Sequence, residues 1–195
     1  ESLFDAKSYS GAVVILDAAN GEILVLASCP GYDLSSGVPA TVNQAQFNRA
    51  VGGAYPPGST IKPFMALFAL EKKLISPESL CYCPGWYELP RNRRIACHQR
   101  FGHGNIALIE ALSKSCNTYF CTLGKRLGKD GWNEFAQSFA FGQKMNTILY
   151  KQETSGIPYS PDWIRQHRPQ APRWDDDDSA YAGIGQGKWL VSPLQ

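Results

Sequence analysis

The sequence has no long apolar run, no strong charge of either sign and no internal repeat, and each absence removes a class of function. No segment approaches the roughly 18 to 20 apolar residues needed to cross a bilayer. The opening "ESLFDAKSYS" lacks the basic start and apolar stretch of a signal peptide. If the native protein is exported or anchored, its leader or anchor is expected to lie outside this sequence. The net charge of +2 is too small to argue for nucleic acid. No basic stretch interleaves with aromatics as an RNA surface would require, so no nucleic-acid partner is expected. The only low-complexity feature is the acidic run at 175–178, which lacks the alternating ligands and Gly of a calcium-binding EF-hand loop and reads as a solvated loop. "GQGK" lacks the rest of a phosphate-binding G-x-x-x-x-G-K-[ST], which sets nucleotide binding aside.

What is present is the composition of a globular domain: 195 residues, 44% hydrophobic and 18% charged, enough for one domain with its own core. Two β-rich runs, Ala12 to Leu16 and Glu22 to Ala27, flank "DAANG", and Asn20-Gly21 is a strong hairpin signal. The chain then reads as a loop from Pro30 to Asn48. A helix follows Ser59 and ends near Leu74. Residues 76–104 are rich in Cys, Pro, Arg and aromatics and read as irregular. Helical periodicity returns through Ile106, Ile109 and Leu112, continues through Phe120 and Leu123, and stops at Gly128. "DGWNEFAQSFAFG" predicts another short helix. Residues 151–180 read mostly as loop, and "GIGQGKWLVSPLQ" as a turn with the beginning of a helix. A hairpin alone is marginal and needs further strands or a covering helix, so strands of this domain are expected beyond Gln195.

The most informative stretch is "YPPGSTIKPF". Pro56, Pro57 and Gly58 make a stiff turn that delivers Ser59 to the start of a helix, and Lys62 lies one turn on, on the same face. Ser59 could simply cap that helix. A capping box, however, would place Glu or Gln where Lys62 stands, and a cation in the first turn opposes the helix dipole. Chemistry gives the lysine a role: beside a serine hydroxyl and partly desolvated, it loses its proton more readily and can act as a base. The free N–H groups at a helix start could also stabilise an oxyanion. Further on, "SKSCNTYF" presents Ser115 and Asn117 in an S-x-N arrangement. On the residues alone, these two could equally be polar positions on an exposed helix face.

S-x-x-K followed by S-x-N resembles the motif set of penicillin-binding proteins and serine β-lactamases. "NRAVGGAYPPGSTIKP", "PGWYELP", "FGHG", the S-x-N helix and "GIGQGKW…SPLQ" occur in the order seen in class B penicillin-binding proteins of the elongation type, the penicillin-binding protein 2 family. The resemblance runs from about Ser10 to the last residue. It implies the α/β transpeptidase fold shared with serine β-lactamases, here an N-terminal hairpin plus a helical subdomain with the C-terminal strands missing. It also implies peptidoglycan D,D-transpeptidation: Ser59 as acylated nucleophile, Lys62 as its proton acceptor, Ser115 as proton relay to the leaving group, and Asn117 holding the substrate amide and Lys62. The implied partners are peptidoglycan stem peptides, β-lactam antibiotics and a membrane glycosyltransferase, at the periplasmic face of the bacterial inner membrane. One departure stands out. No K-T-G triplet follows the S-x-N, so 1–195 reads as a partial transpeptidase domain whose own activity is in question.

The six cysteines fit either a disulfide framework or a metal site. Cys83, Cys97 and His103 share one loop of little apolar content and Cys116 follows on the next helix, and a Cys3His set can close tetrahedrally on zinc. Some members of the family carry a structural zinc at these positions, so the resemblance implies Zn2+ on Cys83, Cys97, His103 and Cys116. Cys81 and His98 are rival ligands, while Cys29 and Cys121 read as small buried residues. Two alternatives stay open: a serine β-lactamase, and a non-enzymatic, zinc-stabilised β-lactam sensor or scaffold.

Overall fold

The computed structural model describes residues 10–31, 35, 45–170 and 173–195. These form two compact units. One holds the described residues up to Tyr55 with 142–157 and 191–195, and the other holds those of 56–141 and 158–190. Much of the loop expected between Pro30 and Asn48 lies outside the described residues.

In the first unit, strands β1 (Gly11–Leu16) and β2 (Ile23–Cys29) pair antiparallel from Gly11↔Cys29 to Leu16↔Ile23. Gly21 turns the corner with φ 75°, and its N–H donates to the Asp17 carbonyl at 2.8 Å, so the Asn-Gly signal marks the hairpin. Cys29 is half-buried at the end of β2 rather than fully enclosed. The short helix α1 (Arg49–Gly52) starts on Asn48, whose side chain accepts from the Ala50 N–H. The helix expected within the last residues does not form. Val191 is β-branched and exchanges both backbone hydrogen bonds with Tyr55, and Pro193 follows two residues later.

The second unit begins with a 3-10 turn (Gly58–Thr60) running into α2 (Ile61–Glu71). The segment expected to be irregular contains two small antiparallel ladders: β3 (Cys81–Cys83) with β6 (Gly104–Ile106), and β4 (Trp86–Leu89) with β5 (Arg93–Ala96). Strands of three and four residues are too short for an alternating pattern to be legible. The helical stretch after Ile106 is two helices, α3 (Leu108–Ser113) and α4 (Asn117–Ser138), with Ser115 at φ 46° between them. Gly128 interrupts α4 with φ 68° and ψ −179°, so the expected stop is a break after which "DGWNEFAQS" resumes the helix.

Residues 151–180 carry two further helices, α5 (Pro161–His167) and α6 (Asp176–Ala182). The acidic run is the start of α6 and not a loop: Asp175 and Asp178 form a reciprocal capping box, and three aspartates occupy the first turn, where the helix dipole favours them. The core of this unit is aromatic. Trp132 and Phe135 are fully buried, and Phe135 meets Phe68, Trp132, Phe139, Phe141 and Trp189 at ring separations of 5.2–5.8 Å. Trp132 and Trp189 thus take a packing role. Phe135→Ala is expected to cost about 3–5 kcal/mol, measured by denaturant unfolding.

Candidate active site

The turn before Ser59 is held from behind. Gly58 has φ 60°, its N–H donates to the Gly185 carbonyl at 2.8 Å, and a Cβ on Gly185 would meet the Gly58 oxygen at 2.1 Å. The "GIGQG" turn therefore needs glycine to back the "PPGS" turn, a role that its sequence does not signal. Ser59 is exposed and does not cap the helix. Thr60 occupies the N-cap position of α2 and makes no side-chain cap there, its hydroxyl donating to the Pro57 carbonyl at 2.7 Å. The Ser59 hydroxyl instead accepts a hydrogen bond from Ser115 Oγ at 3.0 Å.

Lys62 is 2% exposed, unusual for a lysine. Its Nζ donates to the Ser115 carbonyl at 2.9 Å, Ser115 Oγ at 3.0 Å and Asn117 Oδ1 at 2.8 Å, and lies 5.5 Å from the centre of the Phe120 ring. Burial is the largest influence on it and pulls its pKa below the ordinary lysine value. Ionised Cys116, Cys121 or Cys97 would pull the other way. As free thiols, however, Cys116 and Cys121 are themselves pushed up by burial and stay neutral at pH 7, so the downward shift stands.

Ser115 and Asn117 do not sit on a solvated face. At the end of α3, the N–H of Ser115 donates to Leu112 O (3.0 Å) and that of Cys116 to Ala111 O (2.9 Å). That is the Schellman pattern, in which glycine is the usual left-handed residue. Serine here holds the strained conformation that turns both its carbonyl and its hydroxyl to Lys62. Asn117 opens α4, and its Nδ2 donates to the Ala96 carbonyl at 2.9 Å. With the amino group committed to a carbonyl, Oδ1 faces the lysine. Among the described residues Lys62 makes no direct hydrogen bond to Ser59; the two connect through Ser115.

This geometry fixes how protons can run. As an ammonium, Lys62 spends all three N–H donors on the three oxygens around it. As a neutral amine it has two N–H groups and a lone pair. The Ser115 carbonyl and Asn117 Oδ1 can only accept, so they keep the two donors and the lone pair faces Ser115 Oγ. Ser115 then donates to Lys62 and is free to accept from Ser59. Losing one proton from the lysine thus reverses the chain, and points the Ser59 proton inward.

The four proposed metal ligands come together. Donor atoms of Cys83, Cys97, His103 and Cys116 all lie within 4.8 Å of one another, against roughly 3.8 Å between sulfurs on a tetrahedral zinc with 2.3 Å bonds. The ladders place them: Cys83 pairs with Gly104 beside His103, and the N–H of Cys97 donates to Gly85 at 2.8 Å. Cys116 caps α4, its sulfur accepting from the Tyr119 N–H at 3.5 Å. The Cys83 thiol donates to Thr118 Oγ1 at 3.2 Å. Burial opposes ionisation of Cys83, but hydrogen bonds from the Thr118 side chain and from the backbone of His103 and Gly85 outweigh it and bring its pKa to about 6. The rivals stand outside the group. Cys81 makes its contacts with Thr122 and the Tyr82 carbonyl, and His98 only approaches the His103 ring, at 5.2 Å. All six cysteines are free thiols, so no disulfide framework is present.

Residues 11–195 match the family described as the penicillin binding protein transpeptidase domain. The chain belongs to that transpeptidase family. It is 33% identical over 197 aligned residues to the peptidoglycan D,D-transpeptidase MrdA of Acinetobacter baumannii, covering 95% of this chain and 29% of that protein. Among solved structures, penicillin-binding protein 2 of Pseudomonas aeruginosa in complex with WCK 5153 superimposes with a TM-score of 0.81 at 32% identity, over 94% of this chain and 42% of that one. Penicillin-binding protein 2 of Helicobacter pylori, in its complex with MreC, gives 0.80 at 28% identity, over 95% of this chain and 36% of that one. The chain thus spans about three-tenths of the length of the curated relatives it matches. The transpeptidase fold expected from the motifs is the fold observed, and these relatives favour a transpeptidase over the serine β-lactamase alternative.

Sequence reasoning did not find the Ala96 carbonyl or the Gly185 turn. Backbone groups that position side chains leave no mark in residue type.

Ser115→Gly and Ser115→Ala both remove the hydroxyl, but only glycine accepts the left-handed conformation freely. The glycine variant of this transpeptidase domain is expected to be more stable than the alanine variant by about 1 kcal/mol in denaturant unfolding.

Proposed function

We propose that this domain cross-links peptidoglycan as a D,D-transpeptidase through an acyl-enzyme on Ser59. The hydrogen-bonded chain Ser59–Ser115–Lys62–Asn117 carries this reading. Neutral Lys62 takes the Ser115 proton as Ser115 takes that of Ser59. Ser59 Oγ attacks the penultimate D-Ala carbonyl of a stem peptide, and the tetrahedral intermediate collapses as the C–N bond breaks. The departing D-Ala amine takes the proton back from Lys62 through Ser115, leaving an ester on Ser59. The amine of a second stem peptide attacks that ester, gives up a proton to the same chain, and Ser59 regains its hydrogen as the new amide forms. A β-lactam enters the first half-reaction and stays on Ser59.

We also assign Cys83, Cys97, His103 and Cys116 to a structural zinc. The donor chemistry and spacing fit that ion, and Cys116 stands at the N-cap of α4 with its sulfur in the group. Bound there, zinc would clamp the two ladders to the start of α4, and it takes no part in proton transfer. The complete protein would act at the periplasmic face of the inner membrane beside a membrane glycosyltransferase, which supplies the glycan strands that a transpeptidase joins.

Incubation of the protein with benzylpenicillin is expected to give a single covalent adduct in intact-mass spectra, absent in Ser59→Ala; no adduct on folded protein would sink the proposal. Lys62→Ala is expected to slow acylation by roughly 10²–10⁴-fold. Because protonated Lys62 cannot act as a base, the acylation rate should rise with pH through its lowered pKa and level off. A rate still climbing at about pH 10 would mean an ordinary lysine. For the metal, native mass spectrometry should find one zinc. Metal-free protein with Cys83 and Cys97 in a disulfide would overturn that assignment.

A further inference from the structure

Thr118 is 4% exposed, one position after Asn117 on α4, and its hydroxyl plays no part in the Ser59–Lys62 chain. Valine would fill the same space, so a hydroxyl in this place calls for a reason. Its side-chain partner is the sulfur of Cys83, at 3.2 Å. While Cys83 keeps its proton, the thiol donates and Thr118 accepts. A metal-bound cysteine has lost its proton, and then the only hydrogen left between the two atoms is the one on Thr118 Oγ1. The same pair would then be a hydroxyl donating to a thiolate, a charge-assisted bond in a buried place.

We propose that Thr118 is a positioning residue for the metal cluster, its hydroxyl donating to Cys83 Sγ and fastening that ligand to the first turn of α4. This rests on the zinc assignment above. Cys83 comes from β3, and Cys116 and Asn117 sit at the start of α4. The Thr118–Cys83 bond joins these elements without the metal and so holds one ligand near its final position before zinc arrives. Such outer contacts orient metal ligands and change affinity by about 10–100-fold when removed.

The test compares zinc affinity of the wild type, Thr118→Val and Thr118→Ser by competition with a chromogenic chelator, a readout independent of acylation. Thr118→Val keeps the shape and loses the hydroxyl; Thr118→Ser keeps the hydroxyl. The expected result is about 10–100-fold weaker zinc binding in Thr118→Val and recovery to within a few-fold of wild type in Thr118→Ser. If Thr118→Val does not fold, as judged by circular dichroism with excess zinc, Thr118→Ala takes its place. Wild-type affinity in the valine variant would overturn the role of Thr118 and leave the zinc assignment standing. Equal losses in both variants would assign the effect to packing and also overturn it. A wild-type protein that binds no zinc would overturn both readings together.

Discussion

A lysine amine taken out of water must be fully partnered or give up its charge, and the arrangement around Lys62 serves both demands. Three oxygens surround its nitrogen, contributed by Ser115 twice and Asn117 once. An unpartnered buried ammonium costs several kcal/mol, so α2 can bury Lys62 only if the junction between α3 and α4 is in place. That junction depends in turn on the Ala96 carbonyl at the end of β5, which orients Asn117. Burial lowers the proton affinity of the amine, and the geometry of its acceptors decides which neighbour meets the freed lone pair. Stability and reactivity thus have the same origin here.

The cysteine–histidine group is linked to this arrangement by chain connectivity. Cys97 directly follows Ala96, and Cys116 stands between Ser115 and Asn117. Anything that fixes those two sulfurs also fixes a carbonyl and two side chains around Lys62. The ladders that carry Cys83, Cys97 and His103 are too small to be stable alone, having three or four residues per strand and a mostly exposed outer face. Hydrogen bonds from Asn117 to the Ala96 carbonyl and between Cys83 and Thr118 tie them to α4.

Much of this was readable in the sequence. The Asn-Gly hairpin, the helix after Ser59 and the Gly128 stop each rest on a local signal that tertiary contacts did not override. Ser59, Lys62, Ser115 and Asn117 were found by motif, and the same four residues converge in space. What escaped has a common physical character. Strands of three residues show no periodicity, and a capping box made of aspartates looks like a charge run until its helix is known. The continuous periodicity from Ile106 to Leu123 concealed the break at Ser115, because an αL serine is marked by nothing but its backbone. The direct Lys62–Ser59 contact implied by the motif is replaced by a path through Ser115, which only coordinates reveal.

That serine restricts what evolution can place at position 115. The left-handed backbone admits glycine, asparagine and aspartate with ease and rejects β-branched residues, which excludes threonine. Proton relay needs an alcohol that can both give and take, which excludes glycine and the two Asx residues. The two sets barely overlap. A lineage escaping an inhibitor through this residue would have to remodel the turn first, so variation is expected to accumulate around position 115 rather than at it.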